Sequence, residues 1–231
     1  MVRIGWNFVD APALTRTAIK QRQTRIRLRQ VAYDLMATQG VDATSIQQIT
    51  DGTDIGFGTF YNYYASKEAL ALDVLDCAIH NIGERNDLVT RRLDETDPAR
   101  IVANSVRFVI REMTTNSMWR FWLDRLDLLI DRAIVGFGPY GLRDIGRAVA
   151  AGRYHLVNDD PTLAWHHLVW MMTAAARDVL DGRAGPTAER DYVVGLMRIN
   201  GLAHDDADAV TSTELPESPA LPIDFAFDIP S

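Results

Sequence analysis

Residues 44–70 read TSIQQITDGTDIGFGTFYNYYASKEAL. This stretch predicts two short helices joined by a tight turn and followed by the start of a longer helix. Thr44 or Ser45 supplies the N-cap of the first short helix, and glycine and aspartate end that helix at residues 52–54. The second short helix is expected over residues 56–63, and Ser66 caps the longer one. Two short helices with this spacing predict a helix-turn-helix unit.

The flanking sequence continues the helical pattern. Residues 24–39 contain no Gly or Pro, and apolar side chains recur there at the spacing of a helix with one buried face. Gly40 is expected to cap this helix. Further helices are predicted over residues 66–86, 98–115, 117–134, 142–152, 161–180 and 187–200, with connections at the glycine-containing stretches 136–141 and 181–186. Since strand patterns are hard to find, the fold class is expected to be all-α.

The composition is that of a folded globular protein, because the 231 residues are 47% hydrophobic and 24% charged. The net charge of −7 is unevenly distributed. Residues 1–33 contain seven basic side chains and one acidic one, so the rest of the chain is strongly acidic. This asymmetry indicates an anion-binding N-terminal region joined to a body with another role.

Both ends of the chain differ in composition from the middle. Residues 1–20 are expected to form a flexible basic arm. Residues 202–231 are acidic, contain four prolines and carry no Lys or Arg, so a disordered tail is expected there. The alternation of apolar and polar residues over 223–229 leaves a docked, strand-like segment as the alternative.

The single cysteine, Cys77, cannot form an internal disulfide, which suits a reducing compartment, and we expect a cytoplasmic protein. The most apolar stretch, residues 163–176, is interrupted by two histidines and is shorter than the ~20 residues that a bilayer helix requires. No membrane partner and no export signal are therefore expected.

The second short helix carries side chains suited to DNA. Phe57, Thr59, Asn62 and Tyr63 can touch base edges and phosphates, while two further aromatic residues anchor the helix on the bundle. Lys67 lies in the first turn of the next helix, where an ammonium group and free backbone N–H groups can meet one phosphate. The alternative is an ordinary solvated helix face.

These motifs resemble a known family. LRQVAYDLMATQGVDATSIQQI (28–49) and IGFGTFYNYYASKEAL (55–70) are similar to the N-terminal domain of TetR-family transcriptional regulators over roughly residues 22–75. The resemblance implies a three-helix helix-turn-helix domain over residues 21–70 and a helical effector-binding and dimerisation domain over residues 71–201. Asp54, Gly56 and Tyr63 depart from the family pattern, so no operator sequence is carried over.

The resemblance also implies roles for individual residues. The phosphate contacts it implies are Thr44, Ser45, Tyr61, Tyr63 and Lys67. The residues it places nearest the bases are Phe57, Gly58, Thr59 and Asn62. Gln47 and Gln48 are weaker candidates. Core packing remains the alternative for Tyr61.

The C-terminal half is rich in aromatic residues at helical spacing, which suits a cavity for a hydrophobic or aromatic effector. The candidate ligand-binding residues are Trp119, Trp122, Leu126, His155, His166, Trp170 and Thr173. An ordinary aromatic core is the alternative. The histidines match no metal-binding motif, so neither a metal nor a cofactor is expected.

Function follows as an expectation from the resemblance. The chain is expected to be a homodimeric repressor, paired through residues 161–180 and 187–200, that binds double-stranded DNA at a near-palindromic operator. A small hydrophobic or aromatic effector would release it. Two other classes remain, an all-helical enzyme and a non-specific architectural DNA binder. GFGPYG at 136–141 lacks the preceding strand that a dinucleotide site needs, and the acidic body disfavours an architectural protein.

Overall fold

The computed structural model describes residues 15–92, 96–185, 187–212, 214–215, 217 and 221–228. Within these ranges the chain is helical and contains no strand, as the sequence predicts. Its α-helices are α1 (Arg16–Gln39), α2 (Ile46–Thr53), α3 (Phe57–Phe60), α4 (Lys67–Arg92), α5 (Pro98–Thr115), α6 (Met118–Leu123), α7 (Leu126–Ala150), α8 (Pro161–Leu180), α9 (Ala188–Ile199) and α10 (His204–Thr211). None of these helices is long and apolar enough to cross a membrane.

Helix α1 begins at Arg16 rather than at the predicted position 24. The side chain of Thr15 accepts a hydrogen bond from the N–H of Ala18 at 3.2 Å and caps the helix. The first two turns of α1 are largely exposed. Because they bury no continuous apolar face, their residues lack the apolar spacing by which a helix is recognised from sequence. The expected flexible arm over residues 1–20 is therefore wrong for residues 16–20, and residues 1–14 lie outside the described part of the chain.

The helix-turn-helix unit is set up by local chemistry. Ser45 and Gln48 form a reciprocal capping box at the start of α2. Asp54 then adopts the left-handed conformation, with φ 58° and ψ 50°, and turns the chain towards α3. Helix α3 is shorter than the predicted 56–63, because the N–H groups of Tyr63 and Tyr64 both bond to the carbonyl of Phe60 and the chain tightens into a turn.

One continuous apolar core joins this unit to the rest of the protein. Leu28, Ala32 and Met36 of α1 are fully buried, as are Ile49 of α2 and Phe60 of α3. The same core continues through α4 to α10. The helix-turn-helix unit is thus packed firmly on the body, and α4 runs from one into the other.

The stretch GFGPYG (136–141) is not a connection, because it lies inside α7. Its glycines allow close helix packing. A Cβ on Gly136 would lie 2.4 Å from Ile79 of α4, and one on Gly141 would lie 2.2 Å from the ring of Trp165 in α8. The predicted helix 142–152 is therefore the second half of α7.

The predicted helix 117–134 is divided into α6 and the start of α7. The division falls at Asp124 and Arg125, where Arg125 leaves the helical conformation with φ −128° and ψ 60°. The Arg125 guanidinium lies 3.5 Å above the ring of Phe121 and donates to the Phe121 carbonyl at 3.0 Å. These contacts stabilise the bend, which sequence periodicity does not record.

The C-terminal region is ordered where it is described, so the expected disordered tail over residues 202–231 is wrong there. It begins with helix α10 and ends with residues 221–228, which lie on α1 and α4. The docked segment is not the strand that alternation suggested, since the N–H of Phe227 bonds to the carbonyl of Asp224 and closes a turn. We call residues 221–228 the C-terminal strap.

Candidate nucleic-acid interface and effector cavity

The predicted base-contacting residues lie together on the outer face of α3 and the turn after it. Phe57 is 49% exposed, Gly58 and Asn62 are exposed, and Thr59 is half-buried. Phe60, the last residue of α3, is completely buried and fixes the helix on the core. The short helix α3 is therefore anchored on the core through Phe60, while its remaining residues are exposed or half-buried.

Gly58 is not required by the protein's own packing. A Cβ at this position would meet no protein atom within 4 Å. Because glycine has no side chain, the backbone of α3 can approach the base edges of a major groove closely at this position. Next to it, Tyr61 is 50% exposed, and its ring packs edge-on against Phe57 and Phe60 with centroid distances of 5.7 and 5.4 Å. The packing orients the ring, while half of the residue stays exposed.

The two predicted phosphate ligands before α2 differ in accessibility. Ser45 is exposed at the N-terminus of α2. Thr44 is only 1% exposed, and its hydroxyl donates to the carbonyl of Gly40 at 2.8 Å. Thr44 thus holds the α1–α2 loop in place, whereas Ser45 lies at a helix N-terminus where a phosphate oxygen can approach.

Lys67 is directed at the protein rather than at solvent. Its ammonium donates to the carbonyls of Val41, Thr44 and Asp42 at 2.8, 2.9 and 3.3 Å. Three acceptors match the three donors of an ammonium group. In this structure Lys67 therefore ties the start of α4 to the loop that leads into α2, which the sequence motif did not indicate.

A basic groove beside Asn62 and Tyr63 was absent from the predicted site. It has a volume of about 570 Å³, and Arg22, Arg25 and Arg29 of α1 line it together with those two residues and the C-terminal strap. The basic composition of residues 1–33 was the available signal. The groove extends the candidate DNA surface from α3 onto α1.

A carboxylate of α4 neutralises part of the positive charge of this groove. Asp73 of α4 accepts hydrogen bonds from Arg25, Arg29 and Tyr64 at 2.7, 2.9 and 2.9 Å. Burial opposes ionisation of Asp73, but the hydrogen bonds from the two arginines outweigh it and hold its pKa below the usual value. Burial, reinforced by the charge of Asp73, raises the pKa of Tyr64 to about 12.

A second cavity lies inside the body, between α4, α5, α7 and α8. Its volume is about 50 Å³, and most of its wall is apolar, with Phe137, Trp165 and Met172 among the lining side chains. One wall is polar and carries Asn86 and Asp87 of α4 and Arg143 and Asp144 of α7. An apolar chamber with a few convergent polar groups is typical of a small-molecule site.

On the polar wall, the guanidinium of Arg143 lies between two carboxylates. Arg143 pairs with Asp87 at 2.7 Å and with Asp144 at 2.8 Å, and both carboxylates are largely buried. Hydrogen bonding to Asp144 is the main reason that the pKa of Arg143 is raised, so the guanidinium stays charged. Arg147 approaches Asp144 only at 3.6 Å and from an exposed position. Such a wall favours ligands that donate hydrogen bonds.

The predicted ligand-binding residues lie outside this cavity wall. Trp119 and Trp122 of α6 are fully buried in the general core, and Leu126 packs against that core. The described structure shows no hydrogen-bond partner for either indole N–H. His155 lies exposed after α7 and bonds through its backbone to Asn200.

The remaining predicted residues belong to α8. His166 is half-buried, and Trp170 is 52% exposed on the outer face of the helix. Thr173 is buried, and its hydroxyl donates to the carbonyl of Val169 at 3.0 Å within the same helix. The sequence signal for the cavity was instead Asp144, a charged residue on the face of α7 that also buries Phe137. No group of three or more potential metal ligands occurs among the residues that the structure describes.

Comparison with known proteins agrees with this architecture. Residues 28–74 match the family model "Bacterial regulatory proteins, tetR family", and residues 97–213 match "Tetracyclin repressor-like, C-terminal domain". The HTH-type transcriptional regulator TcmR of Streptomyces glaucescens is 38% identical over 53 residues, which are 23% of this chain and 24% of TcmR.

Solved structures extend the similarity over most of the chain. The crystal structure of RolR in complex with resorcinol is 31% identical, has a TM-score of 0.79, and covers 87% of this chain and 100% of that one. Salmonella enterica GusR shares the fold at 19% identity and a TM-score of 0.54, with 82% of this chain and 99% of GusR covered. With a DNA-binding helix-turn-helix domain at its N-terminus and a matching C-terminal domain, the chain belongs to the TetR family of bacterial transcriptional regulators.

Proposed function

We propose that this protein is a homodimeric repressor that leaves a near-palindromic operator when a small hydroxylated aromatic compound enters the cavity between α4, α5, α7 and α8. One observation carries the proposal. Helix α4 contacts the α1–α2 loop through Lys67 and lines the cavity through Asn86 and Asp87. A single helix thereby connects the effector site to the DNA-binding surface.

The DNA contacts are assigned from exposure. Phe57, Gly58, Thr59 and Asn62 face the bases, and Ser45, Tyr61 and Tyr63 reach the phosphates. Thr44 and Lys67 act as positioning residues, because their polar groups are occupied by backbone carbonyls of the α1–α2 loop. They fix the position of Ser45 and of the start of α2, so that Ser45 can contact a phosphate.

The polar wall of the cavity supports a ligand with hydroxyl groups. A phenolic O–H can donate to the carboxylates of Asp87 and Asp144, and the ring can lie against the apolar wall. The relative RolR, crystallised with resorcinol, carries a ligand of this kind. This effector is narrower than the hydrophobic or aromatic class expected from sequence, and its site differs from the residues expected there.

The size of the cavity supports coupling to DNA. An engineered apolar cavity that binds benzene measures ~150 Å³, whereas this cavity measures about 50 Å³. A single ring therefore enters only if lining side chains and helices move outward. Displacement of α4 changes the position of the helix-turn-helix unit, and each tenfold loss of DNA affinity requires ~1.4 kcal/mol of preference of the ligand for the DNA-free state.

The dimer is proposed through the outer faces of α8 and α9. Trp170 and Ile199 are 52% and 45% exposed, and Ala174 lies one turn beyond Trp170 on the same face. Large exposed apolar side chains on adjacent helices are typical of subunit contacts. A twofold pair would place two α3 helices on successive major grooves, about 34–36 Å apart.

The test begins with an operator selected from random duplexes, followed by titration of the operator complex with resorcinol. We expect resorcinol to bind the free protein and to displace the DNA, whereas benzene, which lacks hydroxyl groups, binds much more weakly. Asp144→Asn should reduce resorcinol affinity at least tenfold while DNA binding persists. Asp131→Asn, a matched change at an exposed position of α7, should have no effect. Equal affinity of the wild type and the Asp144 variant for resorcinol would contradict the assignment of the cavity.

A further inference from the structure

Arg29 is the centre of a complete binding site for the C-terminal strap. It is 3% exposed, and all five of its N–H donors are used. Two donors bond to Asp73. The other three bond to the carbonyls of Phe225 and Phe227 at 3.0 and 2.9 Å and to the carboxylate of Asp228 at 2.6 Å. A guanidinium whose N–H groups all have hydrogen-bond acceptors indicates specific recognition of the strap rather than a non-specific surface contact.

Side chains of α1 and α4 provide the remaining contacts with the strap. The ring of Phe227 stacks on His80 with centroids 3.9 Å apart and an angle of 3°. Phe225 packs against Tyr33 at 5.7 Å. The Asn81 amide donates to two strap carbonyls at 3.2 and 3.3 Å. The strap is thus held by aromatic, polar and ionic contacts over its whole described length.

The docked strap changes the charge of the basic groove. Arg25 and Arg29 share Asp73, which leaves an excess of positive charge on α1. Asp228 lies 2.6 Å from Arg29 and 3.8 Å from Arg25, and it cancels that excess. Because its carboxylate is 61% exposed, Asp228 also presents negative charge to the solvent on the side from which DNA would approach.

The position of Asp228 relative to the DNA surface is decisive. It lines the same groove as Asn62 and Tyr63, at the end of the α3 region. A carboxylate here repels the phosphate backbone and occupies the arginines that would otherwise attract it. DNA binding and strap docking therefore oppose each other.

We propose that the C-terminal strap is an autoinhibitory acidic segment that docks on Arg29 and competes with DNA phosphates for the basic groove of α1. This inference rests on the proposed DNA contacts of Asn62 and Tyr63. Linkage is reciprocal, so that a bound duplex loosens the strap by the same factor by which the strap weakens DNA binding.

The first test measures the affinity for a duplex of random sequence as a function of salt. Asp228→Asn should tighten binding three- to tenfold at low salt and steepen the dependence of log K on log salt by about one, the effect of one phosphate contact. Glu217→Gln is the matched control, because it makes the same charge change at an exposed tail position for which the described chain shows no ion pair. Binding of the Asp228 variant that equals or falls below that of the wild type would overturn the proposal.

The second test uses the only cysteine as a reporter of strap docking. Cys77 is completely buried, and its Sγ lies 3.8 Å from the carbonyl of Phe227. We expect maleimide to modify Cys77 slowly in the free protein and several times faster when duplex DNA is added. Phe227→Ala should give the fast rate without DNA.

The two tests separate the strap from the wider function. A rate of Cys77 modification that DNA leaves unchanged or slows overturns the autoinhibitory strap while DNA binding by the wild type still stands. A wild-type protein that binds no duplex at low salt overturns the DNA contacts of α3 and the strap together.

Discussion

The substitution Lys67→Met distinguishes two roles for Lys67, a direct contact with a DNA phosphate and the positioning of the α1–α2 loop. The change leaves an unbranched apolar side chain that is one atom shorter, and it removes the three N–H donors that contact the carbonyls of Val41, Asp42 and Thr44. Two of these bonds are short, and hydrogen bonds to a charged group contribute about 1.5–3 kcal/mol each. Because Lys67 is half-buried and water can replace part of the interaction, we expect a total loss of about 2 kcal/mol.

The assay combines thermal unfolding with DNA affinity at several salt concentrations. A loss of about 2 kcal/mol should lower Tm by roughly 4–8 °C in a chain of this size. DNA affinity should also fall, because the loop before α2 is no longer held, but the salt dependence should change little. A direct phosphate contact would instead reduce the salt slope by about 0.9.

The other lysine of the chain provides the control. Lys20 is exposed on the first turns of α1, so Lys20→Met should leave Tm unchanged. A Lys67 variant with wild-type Tm and a reduced salt slope would refute the positioning role and restore the phosphate contact implied by the family resemblance.

Three further changes test the body. Gly141→Ala should lower stability by about 1–3 kcal/mol in urea unfolding, because the new methyl group would lie 2.2 Å from the Trp165 ring and force it to shift; unchanged stability would contradict this close packing. Trp170→Glu should convert the proposed dimer to monomers in analytical ultracentrifugation and weaken operator binding, and a stable dimer would refute the α8 interface. Burial raises the pKa of Asp76 to about 6, against the opposing charge of Arg132, so folding disfavours its ionised form. Wild-type stability relative to Asp76→Asn should therefore be highest below pH 4 and fall by about 1–3 kcal/mol as pH rises through 6, and parallel pH profiles in urea unfolding would contradict this.

The helix-turn-helix unit could be predicted because its signals are local. The Ser45 cap lies three residues from its partner Gln48, and Asp54 forms the turn with its own backbone. The resemblance to the TetR family rested on residues 28–49 and 55–70, which include this unit. In the predicted helix 56–63, periodicity places Gly58 and Asn62, each two positions from the buried Phe60, on the opposite face, and both are exposed. Periodicity does not predict the exposure of Phe57, which is three positions from Phe60 and is the first residue of α3.

Predictions failed where a residue's environment comes from distant segments. The glycine-rich composition around Gly136 and Gly141 predicts a loop, but both residues lie inside α7. They are glycines there because Ile79 and Trp165 of neighbouring helices leave no room for a side chain. The aromatic residues of α6 remain a predicted ligand site, but they lie in the general core, and the cavity between α4, α5, α7 and α8 lies apart from them, beside Asp144. Packing between helices decides which of many apolar positions leaves a space, and periodicity does not contain that information.

The amino-acid sequence alone determined the all-helical class, the DNA-reading unit and the charge asymmetry, because capping, turn formation and helical periodicity act between residues close in the chain. Tertiary structure decided the cavity, the inward direction of Lys67 and the docking of the strap. Arg29 and Asp228 are separated by 199 positions, and nothing in the neighbourhood of either residue indicates the other. Contacts of that range form only after the helices have packed, because the packed core fixes which distant side chains become neighbours.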